Sequence, residues 1–153
     1  MSEVKRIVDQ FRRAFEGYAW HGPALWDLLG DVTSQQAFAK PLAGAHSIWE
    51  IVNHVAVWEG VVRRRIRGEV INGLSPEQDW PAVNDSSEAA WQETLTRLER
   101  GNHELRDTIA AMSDEQLKEA VLGQSYTFYV MLHGVIQHDL YHAGQVAVLK
   151  KGR

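Results

Sequence analysis

Two histidines near the C-terminal end of the chain, His138 and His142, have the spacing of a metal-chelating pair. They are four residues apart, so on an α-helix both side chains point the same way, with Cβ atoms about 5–6 Å apart. Imidazoles at this separation can bind one metal ion at about 2.0–2.1 Å and leave positions for another protein ligand and for water or substrate. The pair therefore predicts a metal site that needs a third ligand. The alternative interpretation is a pair of hydrogen-bonded core histidines without a metal.

The residues around this pair predict a buried site with room on one side. The side chains that share the helix face of His138 are mostly apolar or small: Met131, Gly134, Val135 and Leu149. Asp139 falls deeper inside this apolar stripe, where an unpaired carboxylate is destabilising, so we expect it to be hydrogen-bonded. Asp139 and Gln145 are predicted to orient a ligand ring or a bound water. Gly134, one turn before His138, leaves open space through which a substrate can approach.

A candidate third ligand, His54, lies in an earlier predicted helix. It stands beside the apolar stripe of that helix, which is formed by Ile48, Ile51, Val55, Trp58 and Val62. A single histidine on a helix face is commonly a hydrogen-bonded core residue, but the chelating pair elsewhere in the chain favours a ligand. Glu50, one turn before His54, has three open roles: it orients the imidazole, acts as a general base, or closes the helix cap.

Other polar residues keep alternative interpretations. His21 lies where a glycine and a proline interrupt the first helix, and is either exposed at a turn or directed into a pocket. His46, at the start of the second long helix, has no assigned role. Four arginines end that helix: Arg63, Arg64, Arg65 and Arg67. Cations are favourable at a helix C-terminus, but the cluster is also a candidate docking patch for an anionic substrate or an acidic thiol. His103 has no partner at metal spacing and is predicted to lie on the surface.

Length and composition predict a single domain, residues 1–153, built around one core. With 44% hydrophobic and 24% charged residues, the chain has the composition of a globular protein. The net charge of −4 argues against a nucleic-acid-binding protein, because phosphate neutralisation needs a surplus of lysine and arginine. The chain has no cysteine, so nitrogen and oxygen must hold any metal. Without a long apolar run we expect a cytoplasmic protein that does not bind membranes.

Apolar residues recur at helical spacing in four long stretches, and no stretch has a convincing strand pattern. The predicted long helices cover residues 4–18, 46 or 47 to 67, 85–109, and 125 or 127 to 149. Shorter helical segments are predicted at residues 23–29, at 35–38, and after Ser113, where Gly123 stops the segment. The predicted fold class is all-α: an antiparallel four-helix bundle with a short extra helix before the last helix.

Side chains that cap helices set the predicted starts of these segments. Four caps are predicted: Ser47 with Glu50, Asp85 with Glu88, Ser113 with Gln116, and either Ser125 or Thr127. The connection over residues 68–84 is long, and Trp80 within it either packs against the core or lines a pocket. Loops of this length often carry functional residues.

Two segments of the chain resemble the DinB-like superfamily: HSIWEIVNHVAVWE, residues 46–59, and HDLYHAGQVAVLK, residues 138–150. The resemblance extends over nearly the whole chain. It implies a four-helix bundle in which one histidine of the second helix and the histidine pair of the last helix bind a divalent metal, typically zinc or nickel. These positions match His54, His138 and His142. The family name reflects induction by DNA damage and implies no DNA binding.

The resemblance also implies a range of functions. Relatives include thiol-dependent S-transferases and isomerases, which use a low-molecular-weight thiol and a small-molecule substrate, and self-association into a homodimer occurs among them. Our leading hypothesis is a metal-dependent enzyme that activates a thiol or water, of the S-transferase or hydrolase type. Because no glutamate follows His138 directly, the base of a metalloprotease is missing at its usual place, which favours thiol transfer. The alternative is a non-catalytic metal-binding stress or interaction protein.

Overall fold

Helices make up the regular structure of this protein. The computed structural model describes residues 2–152, and within them the only β pairing is an isolated bridge between Ala120 and Thr127. The α-helices are α1 (Glu3–Phe15), α2 (Leu25–Leu29), α3 (Ser34–Phe38), α4 (Ile48–Ile66), α5 (Pro76–Asp79), α6 (Glu88–Ala110) and α7 (Phe128–Leu149), with one turn of 3₁₀-helix at Gln116–Lys118. The predicted all-α class is therefore confirmed.

Four long helices, α1, α4, α6 and α7, build the core. Helix α4 packs against α6 and α7, and α1 packs against the same two helices. Two clusters of buried apolar side chains fill the space between them. Trp49, Trp91 and Val146 belong to the first cluster, and Phe11 and Leu105 to the second. Burial of these apolar surfaces is the main force that holds the helices together.

A polar layer separates the two apolar clusters. Along α6, Leu98 belongs to one cluster and Leu105 to the other, and the buried Asn102 lies between them. Glu59 of α4 and Asp139 of α7 occupy the corresponding positions on their own helices, and both are fully buried. These three buried polar residues thus divide the core close to the turns of α4 and α7 that carry the histidines.

Several predicted helix starts are confirmed. The Ser47 hydroxyl accepts from the Glu50 backbone N–H at 3.1 Å, and the Glu50 carboxylate accepts from the Ser47 N–H at 2.9 Å, which closes the predicted capping box of α4. Of the two candidates for α7, Thr127 is the cap. Ser113 and Gln116 form their predicted reciprocal bonds, but only the 3₁₀ turn follows, not a helix that reaches Gly123.

Two predicted boundaries of the long helices were wrong, and one short helix was missed. Helix α1 ends at Phe15 instead of residue 18, because Gly17 and Tyr18 take left-handed backbone conformations with φ of 81° and 59°. Helix α6 starts three residues later than predicted, with Ser87 as its cap, because Asp85 accepts from the Ser87 N–H instead of capping the helix itself. The short helix α5 inside the long connection was not predicted.

No helix in residues 2–152 combines the length and apolarity needed to cross a bilayer.

Candidate metal centre

The three predicted histidines meet between α4 and α7. His54 projects from α4, and His138 and His142 project from successive turns of α7. The Nε2 atom of His138 lies 3.0 Å from Nε2 of His54 and 3.2 Å from Nε2 of His142. These three residues form the one group within residues 2–152 whose ligand atoms have the arrangement of a metal site.

The separations between the nitrogens fit a shared ion. Two nitrogens bound to one metal at about 2.0–2.1 Å lie about 2.9–3.4 Å apart for bond angles between about 90° and 109°. Both measured Nε2 separations, 3.0 and 3.2 Å, fall in this range. Three imidazole lone pairs that face one another repel unless a proton or a cation lies between them. The donor set thus fits a divalent metal that accepts nitrogen ligands.

The C-terminal end of α5 fixes the ring of His54, through Asp79 and the following residue Trp80. The Nδ1–H of His54 donates to the backbone carbonyl of Asp79 at 2.9 Å, and the Asp79 carboxylate lies 3.1 Å from the same nitrogen. A neutral imidazole that donates from Nδ1 keeps its lone pair on Nε2, the atom that faces the other histidines. Trp80 stacks flat on this ring, with centroids 3.8 Å apart and an interplanar angle of 6°. Trp58 holds Asp79 in place through its indole N–H, at 2.7 Å.

His142 is oriented in the same way from its own helix. Its Nδ1–H donates to the Oε1 atom of Gln145, three residues further along α7, at 2.6 Å. This bond leaves the Nε2 lone pair of His142 directed toward His138. Gln145 thus contacts one of the three histidines, and its role in orienting a metal ligand stays a prediction.

His138 is the exposed member of the group. Its side chain retains 26% of its accessible surface, against 8% for His54. Its Nδ1 atom is buried without a hydrogen-bond partner in residues 2–152, and the Asp139 carboxylate lies 3.7 Å behind it. The centre is therefore open on the side of His138. The sequence predicted open space on this side, because the small residue Gly134 lies one turn before His138.

Burial keeps the three imidazoles neutral. It lowers the pKa of His54, His138 and His142, and the neighbouring rings add to the effect at His54 and His142. The pKa of His142 falls to about 4. Neutral imidazole is the form that binds metal, so all three rings are ready to act as ligands at neutral pH.

A buried carboxyl pair lies directly behind the histidines. Asp139 and Glu59 are 0% and 1% exposed, and each carboxyl affects the ionisation of the other. Neither carboxyl oxygen of Asp139 has a hydrogen-bond partner within residues 2–152, so the hydrogen bond that the sequence led us to expect is not formed. Burial raises the pKa of Glu59 well above its usual range and the pKa of Asp139 to about 8. Asn102 donates to the Glu59 carboxyl at 2.8 Å. Two neighbouring buried carboxyls cannot both be ionised, so the pair holds at least one proton at neutral pH.

Replacing Glu59 with glutamine is expected to stabilise the metal-free protein, more strongly as the pH rises. The folded-state pKa of Glu59 lies above its unfolded value of 4.5. The wild-type protein therefore loses folding stability as the pH rises from 4.5 through the folded pKa, because the unfolded chain ionises this carboxyl more easily. The variant does not lose this stability, because its amide cannot ionise. The glutamine side chain can still accept from Asn102.

Thermal unfolding of the chelator-treated wild type and the Glu59→Gln protein at about pH 5 and about pH 8 measures this effect. The gain in unfolding free energy should be larger at the higher pH by about 1 kcal/mol or more. A gain that is the same at both pH values would show that Glu59 does not titrate as described.

The remaining predicted polar residues lie outside the ring of ligand nitrogens. The Glu50 carboxylate bonds the Ser47 N–H, Lys40 and His46, so of its three open roles the structure places it in the helix cap. His46 stacks on the outer face of Trp80, with centroids 3.6 Å apart. His21 is exposed at a turn, and His103 is exposed beside Glu16.

Four residues of the site's surroundings were missed from the sequence: Trp58 as a support of Asp79, Asp79 itself, Glu59 and Asn102. Of the two alternatives predicted for Trp80, the structure shows packing against the core, and its stacking on His54 was not predicted. Two of the four missed residues had a readable signal. Glu59 lies four residues after Val55 and three before Val62, and so on the apolar stripe of its helix, where a carboxylate must be buried. Asn102 has the same relation to Leu98 and Leu105. The contacts of Asp79 and Trp80 have no such signal, because a loop has no periodicity.

A cavity adjoins the centre on the side of His138. Its volume is about 250 Å³, and its walls come from α4, α7 and the segment before α7. The lining residues are Trp58, Val62, Arg65, Tyr126, Val130, Met131, Gly134, Val135 and His138. The arrangement as a whole can hold a metal ion on one wall of a small, mostly apolar pocket.

Comparison with known proteins places the chain in one family. The family model of the DinB superfamily matches residues 18–146, a range that includes His54, His138 and His142. No curated protein and no solved structure matches the chain. Because the family model covers well over half of the 153 residues, the chain belongs to the DinB superfamily.

Proposed function

We propose that His54, His138 and His142 hold one divalent metal ion, zinc or nickel, and that the protein is a metal-dependent enzyme that activates a thiol or water. The observation that carries the proposal is the convergence of three neutral imidazole nitrogens, 3.0 and 3.2 Å apart, beside an open cavity. Membership of a metal-binding superfamily supports it. The fold proposed for this chain is one antiparallel four-helix bundle domain.

The chemistry of the site follows from its neutral ligands. A divalent ion held by three imidazoles keeps its full charge and lowers the pKa of a thiol or water that binds to it. The protein's own residues hold the rings in place: Asp79 and Gln145 fix two of them, and Trp80 shields one face of His54. Asp139 lies behind His138, where it can accept a proton or a hydrogen bond from that ring.

The cavity lining favours thiol transfer over hydrolysis. Attack by water needs a base that removes its second proton as the product forms, and a thiolate needs none. Within residues 2–152, no aspartate or glutamate lines the cavity. The carboxyls of Glu59 and Asp139 are buried behind the histidines, and the Asp79 carboxylate is bonded to Trp58. We therefore rank S-transfer first, in the cytoplasm, where low-molecular-weight thiols are kept reduced.

The experiment is a transfer assay with zinc-loaded and nickel-loaded protein. Cysteine, glutathione and coenzyme A are each mixed with an aryl chloride, so that a carbon–sulfur bond forms, chloride leaves and the thiol proton goes to the buffer. We expect at least one thiol to react faster with the loaded wild type than with the His138→Ala protein, by a factor of about 100 or more. The His103→Ala protein serves as the matched control and should react like the wild type.

Two results would contradict S-transfer in different ways. Equal rates in the wild-type and His138→Ala proteins would show that the histidines do not act on the thiol. Absence of turnover with every thiol, together with normal metal binding, would favour the alternative: a hydrolase or a non-catalytic metal-binding protein. Ester hydrolysis by the same loaded samples separates these two.

We also propose that a second copy of the chain covers the outer face of α7. This face carries the exposed side chains of Val130, Tyr141 and Val148, and it includes Gly144. Their spacing is that of a helix pairing seam, and three large apolar residues on one exposed stripe indicate an interface. Sedimentation velocity should show a dimer for the wild type and a monomer for the Tyr141→Lys protein. A wild type that is monomeric at micromolar concentration would exclude the dimer.

A further inference from the structure

The cavity beside His138 has a charged end and an apolar body. Trp58, Val62 and Val135 contribute apolar walls, and Arg65 together with Tyr126 forms the polar part away from the histidines. The Trp58 ring spans the cavity wall: its centroid lies 6.3 Å from that of His138 and 6.0 Å from the Arg65 guanidinium carbon. Among the lining residues from the described part of the chain, residues 2–152, Arg65 alone has a permanent charge.

Arg65 is a buried cation whose partners in the structure are all neutral. The residue is 5% exposed. Its Nε–H and one terminal N–H donate to the backbone carbonyl of Ile71, at 3.1 and 2.5 Å, and the other terminal nitrogen donates to the Tyr126 hydroxyl at 2.8 Å. A guanidinium has five N–H groups, so these three bonds leave two free.

The neighbouring arginines differ from Arg65 in having carboxylate partners. Arg63 pairs with Glu104 and Arg64 with Glu69, whereas no carboxylate within residues 2–152 pairs with Arg65. A buried charge is unfavourable unless an opposite charge or strong hydrogen bonds compensate it. The C-terminal end of α4 compensates Arg65 in part, because this end carries partial negative charge. The remaining N–H groups suit an anionic group in the cavity.

We propose that this cavity binds a small carboxylic acid with an apolar body. The carboxylate accepts hydrogen bonds from Arg65 and Tyr126, the body lies along Trp58 and Val135, and the opposite end of the molecule reaches His138. The inference rests on the proposed function, because it identifies this molecule as the substrate that meets the activated thiol or water. It also defines the role of one predicted arginine: Arg65 recognises the anion, and the other three arginines of the cluster do not.

The size of the cavity limits the substrate. A protein cavity of about 150 Å³ accommodates benzene. A volume of about 250 Å³ therefore accommodates one aromatic ring or a short aliphatic chain together with a carboxylate arm. A guanidinium binds a carboxylate through two parallel N–H···O bonds, a geometry that neither an amide nor an alcohol reproduces. The site should distinguish an acid from its amide of the same shape.

The test compares phenylacetate with phenylacetamide by NMR titration, following the indole N–H of Trp58. Both probes are titrated into metal-free and zinc-loaded protein. We expect the acid to bind about 10- to 100-fold more tightly than the amide in both forms, because hydrogen bonds to a charged group are strong. Arg65→Met should bring the ratio close to one, and the matched control Arg64→Met should leave it unchanged.

The Arg65→Met protein should fold, because the Ile71 carbonyl keeps a second partner. Gln124 donates to that carbonyl at 3.0 Å. A second variant tests the cavity without touching Arg65: a Cβ at Gly134 meets no atom within 4 Å, so Gly134→Leu fills the pocket and improves helix propensity. It should weaken phenylacetate binding at least about tenfold. Gly101→Leu, at an equally open position on α6, is its control.

The outcomes separate this inference from the proposed function. Equal affinity for the acid and the amide, or unchanged phenylacetate binding by Gly134→Leu, would overturn the inference. An acid preference that appears only with zinc and persists in Arg65→Met would mean that the carboxylate binds the metal, which overturns the inference and leaves the metal function intact. An Arg65-dependent preference in a protein that fails to bind zinc would support the pocket and contradict the proposed function.

Discussion

The His138→Ala protein is expected to bind zinc more than about a hundredfold more weakly than the wild type, a larger loss than removal of an outer hydrogen-bond partner causes. His138 is the central residue of the proposed site, because its Nε2 atom lies within 3.2 Å of the Nε2 atoms of both other histidines. Without it, His54 and His142 form an incomplete pair on separate helices. Competition for zinc with a chromogenic chelator measures the affinity directly.

Two further variants provide a control without loss of zinc affinity and a comparison with a smaller loss. His103→Ala should bind zinc like the wild type, because His103 is exposed on α6 and lies beside Glu16, away from the three histidines. Asp139→Asn should weaken binding about 10- to 100-fold, since Asp139 lies behind the His138 ring and does not reach the ligand nitrogens. If His138→Ala and the wild type bound zinc with the same affinity, the site would have to lie elsewhere.

Zinc is expected to stabilise the folded protein strongly. At free zinc about 1,000 times above the dissociation constant, a ligand that binds only the folded state adds about 4 kcal/mol to the free energy of unfolding. For a chain of this length, this corresponds to a rise in melting temperature of about 8–16 °C. The reason is structural: the ion joins α4 to α7 and relieves the repulsion between three facing lone pairs.

The stability of the protein, without zinc and with it, should decrease as the pH falls. In the metal-free folded state the pKa of His142 is about 4, against 6.5 in the unfolded chain. The unfolded state therefore binds more protons between these values, and the stability is lost as the pH falls from 6.5 toward 4. Protons also compete with zinc for the nitrogens. Calorimetry with and without a chelator checks both effects, and a His142→Ala protein that zinc stabilised like the wild type would contradict the assignment.

The sequence was most informative where a helix imposes its period. His138, His142 and Asp139 could be placed on one face of α7 because residues four apart must point the same way, and the structure has them there. His54 followed from its place beside the apolar stripe of α4. What brings His54 to the other two is the packing of α4 on α7, which residue spacing alone does not determine.

Contacts between segments that are distant in the chain could not be predicted from the sequence. Asp79 and Trp80 come from a connection without periodicity, yet they bond and cover His54 across 25 and 26 positions of the chain. Arg65 could not be separated from Arg63 and Arg64, because all three suit a helix C-terminus. Only the fold shows that Arg65 points inward, to the carbonyl of Ile71 and the hydroxyl of Tyr126.

Anomalous X-ray diffraction from zinc-loaded crystals, recorded on both sides of the zinc absorption edge, shows directly whether the three histidines hold the metal. We expect one strong anomalous peak between α4 and α7, about 2.0–2.1 Å from the Nε2 atoms of His54, His138 and His142. The peak should be missing from crystals of the His138→Ala protein. A wild-type crystal that contains zinc but has no peak between these three rings would contradict the proposed metal site.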